Sequence, residues 1–415
     1  MHLTGSMLTV FILFVFQVFP WSNALFEKDY VSISIKEENS HPFGDKIFVD
    51  ASTDFSSIVK SEGLFRAFNF SYEHQNWCST FYNKTNPSGL LYVKNPKASS
   101  CTTAGITLRI ANRNPLAEES NESRSCIAKV DHVHNYNVGK LYGSRDKSRS
   151  FLFTTVRDPA TRAISRVFFS SVSQYGNKPT DENILRWMTN SDSQKGIISP
   201  GMGGFQLTYL SMSPIQKYSA WSQEKSDSSV RTDDQLNNIV LNPDVVHANV
   251  KRVIDQYEFV ILVERFDESL VAMQLLLDLS LTDMLYLSSK HAGDYWMNNK
   301  GKCVHLHPSH VSPAVAEYLN SPIWFAQNYG DYLLHEAANQ SLDLTIERLG
   351  FDRFNQAFKQ FLEVKDNAND ECGAKAVFPC SSSGKPQADL ASSHCYQKDW
   401  GCGYPCLDLL SRNFV

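Results

Sequence analysis

Two lysines, Lys94 and Lys97, flank an asparagine and a proline, and a run of small side chains follows them: Ala98, Ser99, Ser100, Cys101, Thr102 and Thr103, in KNPKASSCTT. Such residues at the start of a helix suit an anion. Small side chains let a ligand approach backbone N–H groups, the helix end adds partial positive charge, and lysine adds a full one. The stretch is not a Walker loop, because the Gly-x-x-x-x-Gly-Lys-Ser/Thr spacing is missing and its glycine, Gly105, lies beyond the loop. A second cation, Arg157, stands before Asp158-Pro159, with Ser165 eight residues after it. Arginine matches a phosphate with a planar fork, and the serine hydroxyl offers one more hydrogen bond. A third group is His132 and His134 in KVDHVHNYNVGKLYG, side chains suited to removing a proton near neutral pH. Two apart on a strand they share a face, which would also suit a metal; no third ligand stands nearby, so no metal is expected. The competing readings are plain ones: lysines pointing to solvent, an arginine paired with a carboxylate, a serine that merely fits, a solvated histidine pair.

These groups need elements to hold them. Three units share one pattern: GLLYV leads through the lysine loop into TTAGITLRIANR, SFLFTTV through RDP into ATRAISRVFFSSVSQYG, and YEFVILV through ERFD into ESLVAMQLLLDLSL. A short β-rich apolar run, a polar turn and a helix-spaced segment, repeated, predict an α/β fold with a parallel sheet. Asp158 caps and Pro159 opens the second helix, which sets Arg157 at the carboxyl end of its strand, where ligands of open α/β sheets bind. Along that helix Ile164, Val167, Phe168 and Ser171 share one side, leaving Arg162, Ser165 and Arg166 for other work. Residues 176 to 245, with SPGMGGFQ and SQEKSDSSVRTDDQLNN, read as loops around a cleft, and a helical region spans roughly 312 to 365. Trp187, Tyr209, Trp296 and Trp324 are candidates to stack on sugar rings, or else core.

The chain has 415 residues, 42% hydrophobic and 12% aromatic, enough for a large core in one big domain or two smaller ones. A net charge of -5 argues against a nucleic-acid partner or a membrane-surface footprint, so an anionic ligand must rely on locally clustered cations. Met7 to Phe19 is uncharged and is followed by small residues at 22 to 24, as in a secretory signal; a removed signal peptide and a retained short anchor both fit. Asn69, Asn83, Asn121 and Asn339 begin glycosylation sequons, which imply exposed surface there. Of nine cysteines, five lie in the last 44 residues, which reads as a disulfide-stapled end in preference to a zinc site; Cys101 is the candidate for the unpaired one. The expected organisation is 1–24 signal or anchor, 25–85 stem or amino-terminal extension, 86–365 the main domain and 366–415 a cysteine-rich tail.

KNPKASSCTT resembles the 5′-phosphosulfate loop of Golgi carbohydrate sulfotransferases, and VRDPATRAISRVFFS resembles their 3′-phosphate motif, with Arg157 and Ser165 at its two contact positions. ERFDESLVAMQLLL, with DMLYL behind it, is similar to a segment of the galactose 3-O-sulfotransferases. The His-x-His segment resembles that of the uronyl 2-O-sulfotransferases, where the second histidine, here His134, aligns with the base. The resemblance implies a P-loop-type parallel sheet and the cosubstrate 3′-phosphoadenosine 5′-phosphosulfate. Lys94, Lys97 and residues 98 to 103 would hold its phosphosulfate, and Arg157 and Ser165 its 3′-phosphate. Lys97, His134 and His132 would serve the chemistry. It further implies a glycan or glycolipid acceptor and a Golgi lumenal location. The chain departs from the galactose branch at Asn95-Pro96 and Cys101, where that branch carries Lys-Thr-His-Lys and a glycine- or alanine-led serine run. Two other classes compete: a nucleotide-dependent kinase, which lacks its Walker glycine-lysine pair and magnesium carboxylates here, and a noncatalytic glycan-binding protein on a related fold.

Overall fold

Three runs, Gly89–Val93 (β1), Ser150–Val156 (β5) and Phe259–Leu262 (β6), are buried along their whole length. That is what near-continuous apolar sequence requires of strands covered on both faces. They stand where the repeated strand-turn-helix pattern puts them. The computed structural model describes residues 49–68, 78, 85–113, 115–116, 124–132, 138–189, 204–211, 243–287, 290–298, 300–387, 395 and 400–411. A fourth strand, Ala128–Asp131 (β4), follows a short antiparallel pair, Pro115–Leu116 (β2) and Arg124–Ser125 (β3). The sheet runs in the order β4-β1-β5-β6, and every pair in it is parallel.

That order has a consequence for binding. From β1 the chain moves outward to β4, then crosses back over β1 to β5 and on to β6, so β1 and β5 send their connections in opposite directions. A crevice opens between such strands at their carboxyl ends. After β1 comes helix Ser100–Arg113 (α2), packed on β1 and β4; after β5 comes Pro159–Val167 (α4), capped by the Asp158 carboxylate on the Thr161 N–H at 2.8 Å. The turns of α4 widen into a π-type segment, Phe168–Gln174, a feature found mostly at functional sites.

Short helices Phe55–Ser61 (α1), Val138–Tyr142 (α3), Asp181–Thr189 (α5) and Phe205–Leu210 (α6) surround this centre. Longer ones, Pro243–Gln256 (α7) and Phe266–Leu277 (α8), flank β6. Within the stretch read as a stem, Val59, Leu64 and Phe68 join the main core. A hairpin, Tyr295–Met297 (β7) with Cys303–His305 (β8), precedes helices Pro313–Leu319 (α9), Pro322–Leu349 (α10) and Phe351–Cys372 (α11). Helix α11 runs through the boundary at 365. The last helix, Tyr404–Ser411 (α12), docks on α11.

Disulfides join Cys78 to Cys126, Cys303 to Cys380, Cys372 to Cys406 and Cys395 to Cys402, and Cys101 is the free cysteine. The tail thiolates are thereby withdrawn from any zinc site, and the bonds fit a secreted or lumenal chain in an oxidising environment. Among the described residues no helix is long and apolar enough to cross a membrane. The amino-terminal apolar stretch lies outside the described residues, as do Asn69, Asn83 and Asn121. Asn339 is described, and it corrects the expectation of an exposed sequon: it sits half-buried inside α10, where its Oδ1 accepts a hydrogen bond from Arg265 at 2.9 Å.

Helix α6 shows why GMGGF needs its last glycine. Gly204 has φ 134°, and a Cβ there would stand 2.3 Å from the Asp331 carboxyl group. That carboxylate in turn accepts the Gln206 and Leu207 N–H groups at 2.9 and 2.8 Å, fixing the start of the helix. Burial pushes the Asp331 carboxyl up to about 6, with the Arg162 charge opposing the rise. Replacing Gly204 by alanine should therefore destabilise the fold by about 1–3 kcal/mol, the usual cost of overpacking, read as a lower denaturation midpoint in urea; an unchanged midpoint would show that the loop relaxes freely.

Candidate functional site

The loop after β1 adopts a shape that side chains resist. Lys97 and Ser99 have φ of 67° and 49°, in the left-handed region that costs non-glycine residues energy. Backbone held this way persists only where its surroundings enforce it, and alternating conformations of this type gather N–H groups into a concave anion seat. Ser99 begins the helix: its carbonyl accepts the Thr103 N–H at 3.1 Å. The N–H groups of Ser100, Cys101 and Thr102 therefore point out of the first turn, where no carbonyl of the helix reaches them.

Enforcement comes from buried polar side chains. Asn95, fully buried, donates through Nδ2 to the Thr155 carbonyl at the end of β5 and to Gln206 Oε1, both at 2.9 Å. Gln206 grips the next strand-end residue in both directions: its Nε2 donates to the Arg157 carbonyl at 2.7 Å, and its Oε1 accepts the Arg157 N–H at 3.0 Å. The Lys94 carbonyl receives the Tyr209 hydroxyl and His132 Nδ1, each at 3.1 Å.

Cations converge on this loop. Arg157 Nη1 donates to the Lys97 carbonyl at 3.3 Å. The Lys97 ammonium lies 3.8 Å from the centre of the Phe169 ring, which the π-type segment presents. Burial, then the positive charge of Lys290, and further those of Arg166 and Arg157, push Lys97 down to about 7. Lys290 Nζ donates to Cys101 Sγ at 3.0 Å, with Lys94 Nζ 3.9 Å from the same sulfur and 3.4 Å above the Trp400 ring. Like charges crowd together here only at a cost.

A carboxylate bounds the other side. Glu264, just past β6, accepts the Asp158 N–H and His335 Nε2, each at 3.1 Å, and stands 3.9 Å from Arg157 Nε. Burial raises its pKa, yet the His335 hydrogen bond and charge and the Asp158 amide hold it below the usual carboxylate value. Burial likewise lowers His335, but its bond to Glu264 leaves it raised. Arg157 is lowered by burial, against the pull of Glu264 and Asp158.

Lys94, Lys97, Ala98, Ser99, Ser100, Cys101, Thr102 and Thr103 are thus joined by Arg157 and His132 at the carboxyl end of the sheet. Neither lysine is solvent-pointing in the plain sense: Lys94 is 1% exposed and Lys97 half-buried on Phe169. Ser165 is half-buried on α4, and no hydrogen bond links it to Arg157 among the described residues. His134 lies outside the described residues. Arg162, which the helical spacing left for other work, is fully buried, 4.3 Å over the Phe205 ring and acting on the charge of Asp331. Tyr209 and Trp324 are core, Trp324 donating to the Tyr332 hydroxyl at 2.9 Å. Trp187 packs against Tyr175, and Trp296 packs at a tilt against Phe169.

Sequence reasoning missed Gln206, Glu264, Lys290 and Trp400. Glu264 carried a signal, since it opens the polar turn after a parallel strand. Gln206, Lys290 and Trp400 carried none, because each reaches the loop from a distant segment. The arrangement defines a parallel α/β protein with cationic side chains gathered at the carboxyl ends of neighbouring strands.

No family model matches the chain. The Tir chaperone of Escherichia coli O157:H7 is 37% identical over 67 residues, 16% of this chain and 42% of that protein. The chain spans about two fifths of that relative's length, and the match carries no family assignment.

With its pKa near 7, Lys97 holds a neutral amine over a pH range in which ordinary lysines stay charged. An amine-reactive reagent should label it with a midpoint near pH 7, read by peptide mass spectrometry against exposed Lys359. A midpoint near 10 would mean that the cation cluster does not form.

Proposed function

We propose that the chain transfers a sulfuryl group from 3′-phosphoadenosine 5′-phosphosulfate to a sugar hydroxyl of a glycan or glycolipid, with the 3-hydroxyl of galactose as acceptor, in the Golgi lumen and on a sulfotransferase fold. One observation carries the reading: the Arg157 guanidinium, 60 residues away in sequence, donates to the Lys97 backbone carbonyl at 3.3 Å, so both cationic residues stand in one crevice at the ends of β1 and β5. A nucleotide with phosphate at both its 5′ and 3′ positions needs two such cationic seats in one crevice, and ATP does not.

In this reading the first-turn amides of α2 and Lys97 hold the phosphosulfate, and Arg157 holds the 3′-phosphate. Glu264 keeps the guanidinium aimed by pairing with it from the far side. Ser165 adds its hydroxyl only if the nucleotide draws it in. A bound phosphate returns the proton to Lys97, because opposite charge favours its ammonium form.

Transfer needs an acceptor oxygen to attack sulfur as the bond from sulfur to the bridging phosphate oxygen breaks, with the electron pair leaving on the phosphate. The Lys97 ammonium stabilises that charge. The acceptor proton goes to a histidine. His134 is the first choice by resemblance, and His132 offers a supporting geometry: its Nδ1 faces the Lys94 carbonyl, which can only accept. That nitrogen must carry the proton, so Nε2 keeps the lone pair of a base.

Calorimetry with adenosine 3′,5′-bisphosphate tests the pocket. Charged hydrogen bonds contribute about 1.5–3 kcal/mol, so Lys97→Ala and Arg157→Ala should each weaken binding roughly 10- to 100-fold, while ADP binds poorly throughout. Two variants with wild-type affinity would rule the nucleotide assignment out. Labelled sulfate transfer to a glycan panel then separates an enzyme from a binding protein.

A further inference from the structure

Lys290 comes to the loop from the segment ahead of β7, and it arrives under strain. Its backbone lies at φ 61°, in the left-handed region, although it is neither glycine nor asparagine. Its half-buried side chain donates through Nζ to Cys101 Sγ at 3.0 Å, in the first turn of α2, and Lys94 Nζ stands 3.9 Å from the same sulfur. A thiol is a weak acceptor, so it does little to offset two ammonium groups beside it. After burial, the Lys290 charge is the strongest influence lowering the Lys97 ammonium. Strained backbone and like-charge repulsion in one residue are what a purely structural lysine avoids and what a binding site retains.

Aromatic rings tie the two lysines together. Phe169 lies 3.8 Å from Lys97 Nζ, Trp296 lies 5.2 Å from Lys290 Nζ, and the two rings pack against each other at 5.0 Å. Each ring attracts the cation over its face without neutralising it. The two ammonium groups are thereby held on one aromatic pair, and the Cys101 contact sets Lys290 beside the first turn of α2. Arg157 meets the loop at a different point, the Lys97 carbonyl.

We propose that Lys290 is a further donor-binding residue: its ammonium, resting on Cys101, turns to the anion at the 5′ end of the nucleotide and holds it together with Lys97. The assignment rests on the sulfuryl-donor reading of the site. A phosphosulfate carries negative charge on each of its two halves, so two ammonium groups match it better than one. Its arrival also relieves the repulsion between them. The long flexible stem of a lysine lets the ammonium exchange the sulfur for a phosphate or sulfate oxygen, a far stronger acceptor.

Calorimetry on the full chain tests this with adenosine 3′,5′-bisphosphate, adenosine 3′-monophosphate and inorganic pyrophosphate. Lys290→Gln should weaken the bisphosphate and pyrophosphate roughly 10- to 100-fold, and it should leave the 3′-monophosphate, which has no 5′ anion, unchanged. Lys290→Gly removes the ammonium and accepts φ 61° without strain, so affinity should fall equally while the urea midpoint holds or rises. A lysine needed only for structure would instead lower the midpoint and spare the affinity. Amine labelling gives a reading without nucleotide: in Lys290→Gln the Lys97 midpoint should climb above pH 7, because a repelling charge is gone. A midpoint that does not move overturns the pairing of the two lysines. Wild-type bisphosphate affinity in Lys290→Gln, or an equal loss for the 3′-monophosphate, overturns the inference. If the wild-type chain binds no bisphosphate, the donor reading falls by itself; pyrophosphate binding that depends on Lys290 then still assigns the residue to an anion seat, and its absence or independence of Lys290 overturns that too.

Discussion

The site depends on one buried amide. Asn95 ties the loop after β1 to the Thr155 carbonyl, next to last in β5, and, through Gln206, to both backbone groups of Arg157. Without that clamp the left-handed backbone at Lys97 and Ser99 would relax, and the two strand ends would be free to diverge with their helices. A buried side-chain amide that satisfies three backbone groups by relay is worth more than its own bonds, since each group left unpaired would carry a desolvation penalty of about 1–3 kcal/mol. Asn95-Pro96, which looks like a departure when the loop is compared with sulfotransferase motifs, is thus the feature that connects the loop to the second strand.

Around the clamp the molecule accepts electrostatic stress. Burial first, and then the charges of Lys290, Arg166 and Arg157, push the Lys97 ammonium down to about 7. Folding energy for this comes from elsewhere: fully buried strands, a large aromatic core, and disulfides that fix the tail. The tail belongs to the site as well as to the core. Gly105 lets Gly401 approach α2 so closely that a Cβ would stand 2.6 Å from its nitrogen, and this contact brings Trp400 over Lys94. A disulfide-rich end thereby packs against a loop and helix that lie hundreds of residues earlier.

Much of the sheet was legible because its strands are buried on both faces, which forces long apolar runs that stand out against polar turns. β4 was not, since an edge strand with half-buried residues such as Ala128 and Lys129 carries no such run. In the site, Lys97 and Arg157 were legible from their place after strands. The misread arginine was Arg162: helical periodicity put it opposite Ile164 and Val167, but α6 and α10 cover that side too, and only packing could tell. For Tyr209 and Trp324, left open between sugar stacking and core, packing decided for the core.

By itself the sequence determined the local pieces: which runs become strands, where α4 starts, which loop is small and cationic, and that nine cysteines leave an odd one. These follow from short-range rules of periodicity, capping and count. Tertiary structure alone decided that β1 and β5 are neighbours, so that Lys97 meets Arg157, and that Gln206, Glu264, Lys290 and Trp400 join them. Strand order and the docking of distant segments depend on how whole faces fit and exclude water, which no single stretch of residues records.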